Sequence, residues 1–180
     1  YAAGNKVENM VFDGFYLNQV DNSTFEANYF NGIQEHRGFM CAGCGGNLFN
    51  QNTFYNAPNG GGMLITGPPN NTIAANKITN SYFGEGLLHG VGVSQVKGTI
   101  IENNVFENNI VNDERAGVID FLPFSSGSIV RYNTIRNSRI GVEYFAPPNT
   151  HLVEFNNFEN NLWNAKINGG DTDKNLENNY

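Results

Sequence analysis

The 180-residue chain is poor in positive charge. Ten Lys and Arg face 17 Asp and Glu, giving a net charge of −7 and an isoelectric point near 4.8. No basic stripe and no basic–aromatic interleaving occurs, which excludes a nucleic-acid-binding surface of the usual kind. Long hydrophobic runs are also missing, so no segment reads as a membrane-spanning helix. Cysteine is scarce, with only Cys41 and Cys44 in a Cys41-Ala42-Gly43-Cys44 segment. Two cysteines and the nearby His36 are too few for a structural zinc site, and the βαβ context of a thioredoxin-type redox pair is absent. A short local disulfide and a pair of buried thiols remain open. Hydrophobic residues make up only 39% of the chain, too few for a thick globular core. A thin core filled by large rings fits better, because aromatics reach 13%.

What the sequence does have is a repeat. Phe49-x-x-Asn52-x-Phe54-x-Asn56 is followed by Ile73-x-x-Asn76-x-Ile78-x-Asn80, Ile101-x-x-Asn104-x-Phe106-x-Asn108, Val130-x-x-Asn133-x-Ile135-x-Asn137 and Val153-x-x-Asn156-x-Phe158-x-Asn160. Phe25-x-x-Asn28-x-Phe30-x-Gly32 precedes them, and Val7-x-x-Met10-x-Phe12-x-Gly14 is a weaker copy. A fixed period of this size marks a solenoid whose repeats stack on one another. Apolar residues three before and two after the asparagine are not at helical spacing. They predict two short strands with inward apolar side chains, joined by a tight corner. Asparagine suits that corner because it tolerates left-handed backbone, and stacked asparagines can bond from coil to coil. A third strand follows near Gly62, Gly117 and Gly141. The variable segments 57–61, 82–86 and 111–115 are expected to be loops before it. The expectation is thus an all-β fold of about seven three-strand coils, a single domain over residues 1–180.

The asparagine corner and three-strand coil resemble the right-handed parallel β-helix of the pectate-lyase-like superfamily, in the carbohydrate-binding and sugar-hydrolase type of repeat. The resemblance implies that the Gly62, Gly117 and Gly141 strands are the family's first strands, and that loops beside them wall a carbohydrate groove. On that face Val118, Val142 and Ala165 are expected to form an inward column. Asp120, Glu143 and Lys166 should project outward on successive coils, with Asp120 needing a one-residue shift to join. Paired carboxyls about 5–10 Å apart suit glycosidic-bond cleavage, so Asp120 and Glu143 are the candidate acid/base pair, with Lys166 and His89 beside them. Arg115, Arg139, Glu85, Asp113 and Glu114 are candidate substrate-binding residues. No cofactor is required; Asp113, Glu114, Asp120 and Glu143 could offer oxygens to Ca²⁺. Leu88-His89-Gly90 is the nearest approach to the Gly-His-Gly segment of polygalacturonases, whose other signature segments have no counterpart here. Arg115 and Arg139 lack the surroundings of a pectate-lyase base.

Two functions follow. One is a secreted or surface protein that binds or processes polysaccharide in the groove. The other is a structural or adhesive β-helix that self-associates end to end, without catalysis. An extracellular or cell-surface location suits both. The chain opens on Tyr1-Ala2-Ala3-Gly4 and closes inside a new copy at Leu176-x-x-Asn179. It therefore reads as a piece of a longer protein, or as one whose coil ends a neighbour covers.

Overall fold

The computed structural model describes residues 1–67, 77–79, 82–84, 87–109, 117–145, 151–167 and 178–180. Three parallel sheets of seven strands each form the sides of the solenoid. Sheet A stacks Ala2–Ala3, Thr24–Glu26, Leu48–Asn50, Lys77–Thr79, Ile100–Glu102, Ile129–Arg131 and Leu152–Glu154. Sheet B stacks Lys6–Glu8, Tyr29–Asn31, Thr53–Tyr55, Tyr82–Phe83, Val105–Glu107, Thr134–Arg136 and Asn157–Glu159. Sheet C stacks Phe15–Asn18, Arg37–Ala42, Ala57–Thr66, Leu87–Ser94, Ile119–Phe121, Ile140–Tyr144 and Trp163–Ile167. Each coil visits A, B and C in turn. The apolar columns that the repeat predicts are the core: Phe25, Phe49, Ile101, Val130 and Val153 on sheet A and Phe30, Phe54, Phe106 and Ile135 on sheet B are buried.

Two coils are framed differently from the expectation. Ile78 pairs with Phe49 and Ile101 on sheet A, and Phe83 pairs with Phe54 and Phe106 on sheet B. Phe83, not Ile78, therefore belongs to the sheet B column, and the motif in this coil lies five residues later than read. Tyr82–Phe83 is a strand rather than a loop. Ile73 and Asn76 lie outside the described residues. The sequence between Thr66 on sheet C and Lys77 on sheet A is longer than its counterpart between Ala42 and Leu48, so the corner from C to A also admits extra residues. In the first coil Ala2 pairs with Phe25 and Val7 with Phe30. Its corner residue is Asn5, not Met10.

The asparagine corner divides its work between neighbouring residues. The carboxamides form the ladder: Asn28 donates from Nδ2 to Asn52 Oδ1 (2.9 Å), Asn104 to Asn133 (3.0 Å), Asn133 to Asn156 (2.9 Å) and Asn156 to Asn179 (3.0 Å). The backbone N–H of Asn104 donates to the same Asn133 oxygen at 2.9 Å. The left-handed backbone, however, sits one residue earlier, at Ala27, Gln51, Asn103, Tyr132, Phe155 and Asn178, with φ between 52° and 61°. Asn104 and Asn133 are not left-handed. The preceding residue makes the bend, which turns the asparagine side chain in between coils, where it satisfies buried N–H and C=O groups. Left-handed asparagines do occur at the next corner, between B and C: Asn9, Asn56, Asn108, Asn137 and Asn160, with Gly32 in the same frame.

A glycine column marks the start of sheet C and explains the choice of ring opposite. A Cβ on Gly38 would lie 2.7 Å from Phe54, on Gly62 2.7 Å from Phe83, on Gly90 2.8 Å from Phe106 and on Gly141 2.8 Å from Phe158. The Phe54, Phe83 and Phe106 rings stack at 4.8 and 4.6 Å, and only a missing side chain leaves room for them. The coil that breaks the rule obeys the reason for it. Val118 takes the glycine position there, since Val91 N–H bonds to its carbonyl and its own N–H bonds to Ile140. The residue that faces it from the following coil is Ile135, not Phe. Cys41 and Cys44 are both buried and disulfide-bonded, with Cα atoms 5.8 Å apart.

Candidate functional site

The outward column of sheet C runs Tyr16, Met40, Leu64, Gly92, Asp120, Glu143 and Lys166. Asp120 pairs directly with Glu143, and Glu143 with Lys166, so no shift is needed. The inward partner of Val142 and Ala165 is Ile119, not Val118. Gly117 is the reason for the slip: it mimics the column glycines in sequence but stands one position before Val118, which fills their place.

Asp120 and Glu143 point away from the core, yet both are buried, at 1% and 0% exposure. The chain entering this strand covers them. Gly117 N–H donates to Asp120 Oδ1 at 3.0 Å. A Cβ on Gly117 would lie 2.5 Å from that oxygen and 2.7 Å from Glu143 Cβ. Only glycine lets the backbone lie this close to both side chains. The expected solvent-open acidic ladder is therefore a roofed one.

The accessible members are His89 and Lys166, whose side chains keep 26% and 32% of their surface. His89 Nδ1 bonds to Asp120 Oδ2. Burial alone would lower the imidazole pKa, but the hydrogen bond and charge of Asp120 outweigh it and the pKa is raised. Burial pushes the Asp120 carboxyl up in turn, against the pull of His89, the Gly117 N–H and Arg37. Each group therefore shifts the titration of the other. Lys166 Nζ lies 3.9 Å from Glu143 Oε1. A lysine at the rim thus balances one buried carboxylate, and a histidine balances the other.

The sequence alone passes over Asp13 and Trp163 on this face, and shows Arg37 only within the polar segment Glu35-His36-Arg37, a candidate extension of the sugar-binding surface. The Arg37 guanidinium is lowered by its burial, against the attraction of Asp13 and Asp120, so its charge is felt inside the cluster. Asp13 accepts the Arg37 backbone N–H at 3.1 Å and lies 3.7 Å from His36. Trp163 pairs with Ile140 at the far end of the sheet and is 55% exposed. It lines a cleft of about 410 Å³ with Arg139, Ile140, Leu162 and Lys166. Arg139 is therefore placed beside Lys166, not beside His89. The chemical variety of Asp13, Arg37 and Trp163 gives no spacing signal, and only the register brings them onto one face. Arg115, Asp113, Glu114 and Glu85 lie outside the described residues, and with them half of the proposed calcium ligands. Among the described residues no three His, Cys, Asp or Glu side chains converge as a metal site, and no helix is long and apolar enough to cross a membrane.

A family model described as a right handed beta helix region matches residues 13–180. No curated protein and no solved structure matches the chain.

Proposed function

The chain belongs to the right-handed β-helix family, and from that premise we propose that it is a secreted or surface protein that binds and processes polysaccharide along the outer face of sheet C. The observation that carries the reading is the His89–Asp120 pair. A histidine at the rim of a face, with a buried carboxylate behind it, is the arrangement that holds an imidazole in one tautomer and poises it for proton transfer. With Nδ1 engaged by Asp120, Nε2 is left for a sugar hydroxyl or a glycosidic oxygen. This moves the proton-transfer role from the Asp120–Glu143 pair to His89. Asp120 becomes its positioning residue, and Glu143 holds Lys166 at the rim further along the face, where its ammonium can meet oxygens of a bound sugar chain. The buried Cys41–Cys44 disulfide supports an oxidising compartment and hence export.

The test is a panel of plant and microbial polysaccharides, scored for new reducing ends and for the ultraviolet absorbance of unsaturated products. His89→Gln is expected to abolish turnover without changing the thermal midpoint. Asp120→Asn removes the two strongest influences that raise the His89 pKa and leaves burial and the Arg37 charge against the weaker pull of Glu143, so the limb of the pH–rate profile that belongs to histidine should move to lower pH. Full activity in His89→Gln would refute the assignment. Binding without turnover by the unmodified protein would favour the adhesive reading.

A further inference from the structure

We propose that Trp163, Arg139 and Lys166 form a remote sugar-binding subsite, so that the protein acts on long oligosaccharides lying along the solenoid axis and not on short ones. The inference rests on the proposed function of the same face and adds a residue set and a length requirement to it.

Three observations point to it. The first is the cleft itself. At about 410 Å³ it falls within the range of small-molecule sites, roughly 300–1,000 Å³. The second is its lining. An indole more than half exposed on a strand at the rim of a cleft is a large apolar surface left in water. The C–H face of a pyranose is the ligand surface that matches it, since it is flat, weakly apolar and edged by hydroxyls. Arg139 and Lys166 line the same cleft and bring N–H donors to the ring's edge, where hydroxyl or carboxylate oxygens would meet them. The third is register. Extending the pairing of Val91 with Ile119 and Ile119 with Val142 sets His89, Gly117 and Ile140 in one column, and Ile140 pairs with Trp163. Trp163 therefore stands three coils from His89, about 14 Å at the usual strand spacing of ~4.8 Å. A single sugar cannot touch both. A chain running along the axis can, and its contact with Trp163 supplies binding energy at a distance from the reacting bond.

Trp163 is the single tryptophan of the chain, so its fluorescence reports on this subsite alone. The experiment titrates graded cello-, xylo- and galacturonide oligosaccharide series into the full chain and follows indole emission. The expected result is a saturable shift with long members of at least one series and none with its disaccharide. Neutral and acidic series separate hydroxyl from carboxylate recognition by Arg139 and Lys166. By calorimetry, Trp163→Ala should weaken the long ligand roughly tenfold and Trp163→Phe should restore most of the loss. His89→Gln should bind with the same emission shift while turning nothing over. Emission that stays fixed while the unmodified protein turns glycan over would overturn the subsite and leave the function of His89 standing. Equal affinity for short and long ligands would overturn it as well. Neither binding nor turnover with any glycan would bring down the proposed function and this inference together.

Discussion

Replacing Gly90 by alanine inserts one methyl group into a tight glycine–ring contact of the core. The new Cβ would lie 2.6 Å from the Val118 carbonyl oxygen, 2.8 Å from Phe106 Cδ1 and 3.0 Å from Cε1. The carbonyl accepts the Val91 N–H at 2.9 Å and the ring is held by Phe83 at 4.6 Å, so neither gives way freely. Overpacking of this kind costs about 1–3 kcal/mol. Phe106→Ala costs about 3–5 kcal/mol, because the ring is fully buried and its removal leaves a cavity. The two changes should not add. With the ring gone, the Gly90 methyl enters vacated space and two of its three close contacts vanish, as Val118 already shows opposite Ile135. The double variant should be less destabilised than the sum of the singles by about 1–2 kcal/mol, within the range seen for residues in contact. Urea unfolding followed by circular dichroism reads all four corners of the cycle. Additivity to within about 0.5 kcal/mol would refute the claim that the ring dictates the glycine.

The same assay separates the two halves of the asparagine corner. Asn104→Leu removes donors to Asn133 and leaves buried polar groups unmet, at a cost of about 2–4 kcal/mol, whereas Asn103→Gly, at φ 56°, should be nearly neutral. Equal costs at the two positions would reverse the division of roles. His151 supplies a pH dependence. It stacks on Phe121 at 3.9 Å, and burial holds its pKa down to about 4 against an ordinary 6.5. Between those values the unfolded chain binds the proton and the folded one does not, so stability is complete above about pH 6.5 and falls as the pH drops towards 4. His151→Phe should flatten thermal midpoints across that window; an unchanged slope would place the titration elsewhere.

The solenoid was legible in the sequence because each coil repeats the same demand on an inward pair of apolar residues around one amide. The sequence misleads where asparagine is abundant enough to supply a false frame. Asn76 and Asn80 fit the spacing around Ile78 as well as the true register does, and only the pairing of Phe83 with Phe54 and Phe106 decides between them. Met10 passes for a corner because Val7 and Phe12 are apolar, while the alanines that precede Asn5 hardly look like core. Gly117 passes for a column glycine because glycines look alike in sequence, whatever backbone they serve. The candidate site was legible in part. Asp120, Glu143 and Lys166 are adjacent by arithmetic of the repeat, and His89 was in view as a lone histidine. The burial of Asp120 and Glu143 is not, because it depends on a backbone crossing over the face at Gly117. A single strand's alternation says which way a side chain points, and nothing about what lies on top of it.

The amide ladder has a direction. Every resolved rung donates from Nδ2 to the Oδ1 of the following coil, so the chain of dipoles adds up along the axis and no rung can be inverted alone. Coils are consequently interchangeable only as whole, same-facing units, like vertebrae. Excising 133–155, the 23 residues that separate two rungs, would let Asn104 meet Asn156 as it now meets Asn133. The same cut would strike Glu143 from its column and bring Lys166 down beside Asp120. A change in length that the scaffold tolerates would thus rewrite the charge order of the face it carries.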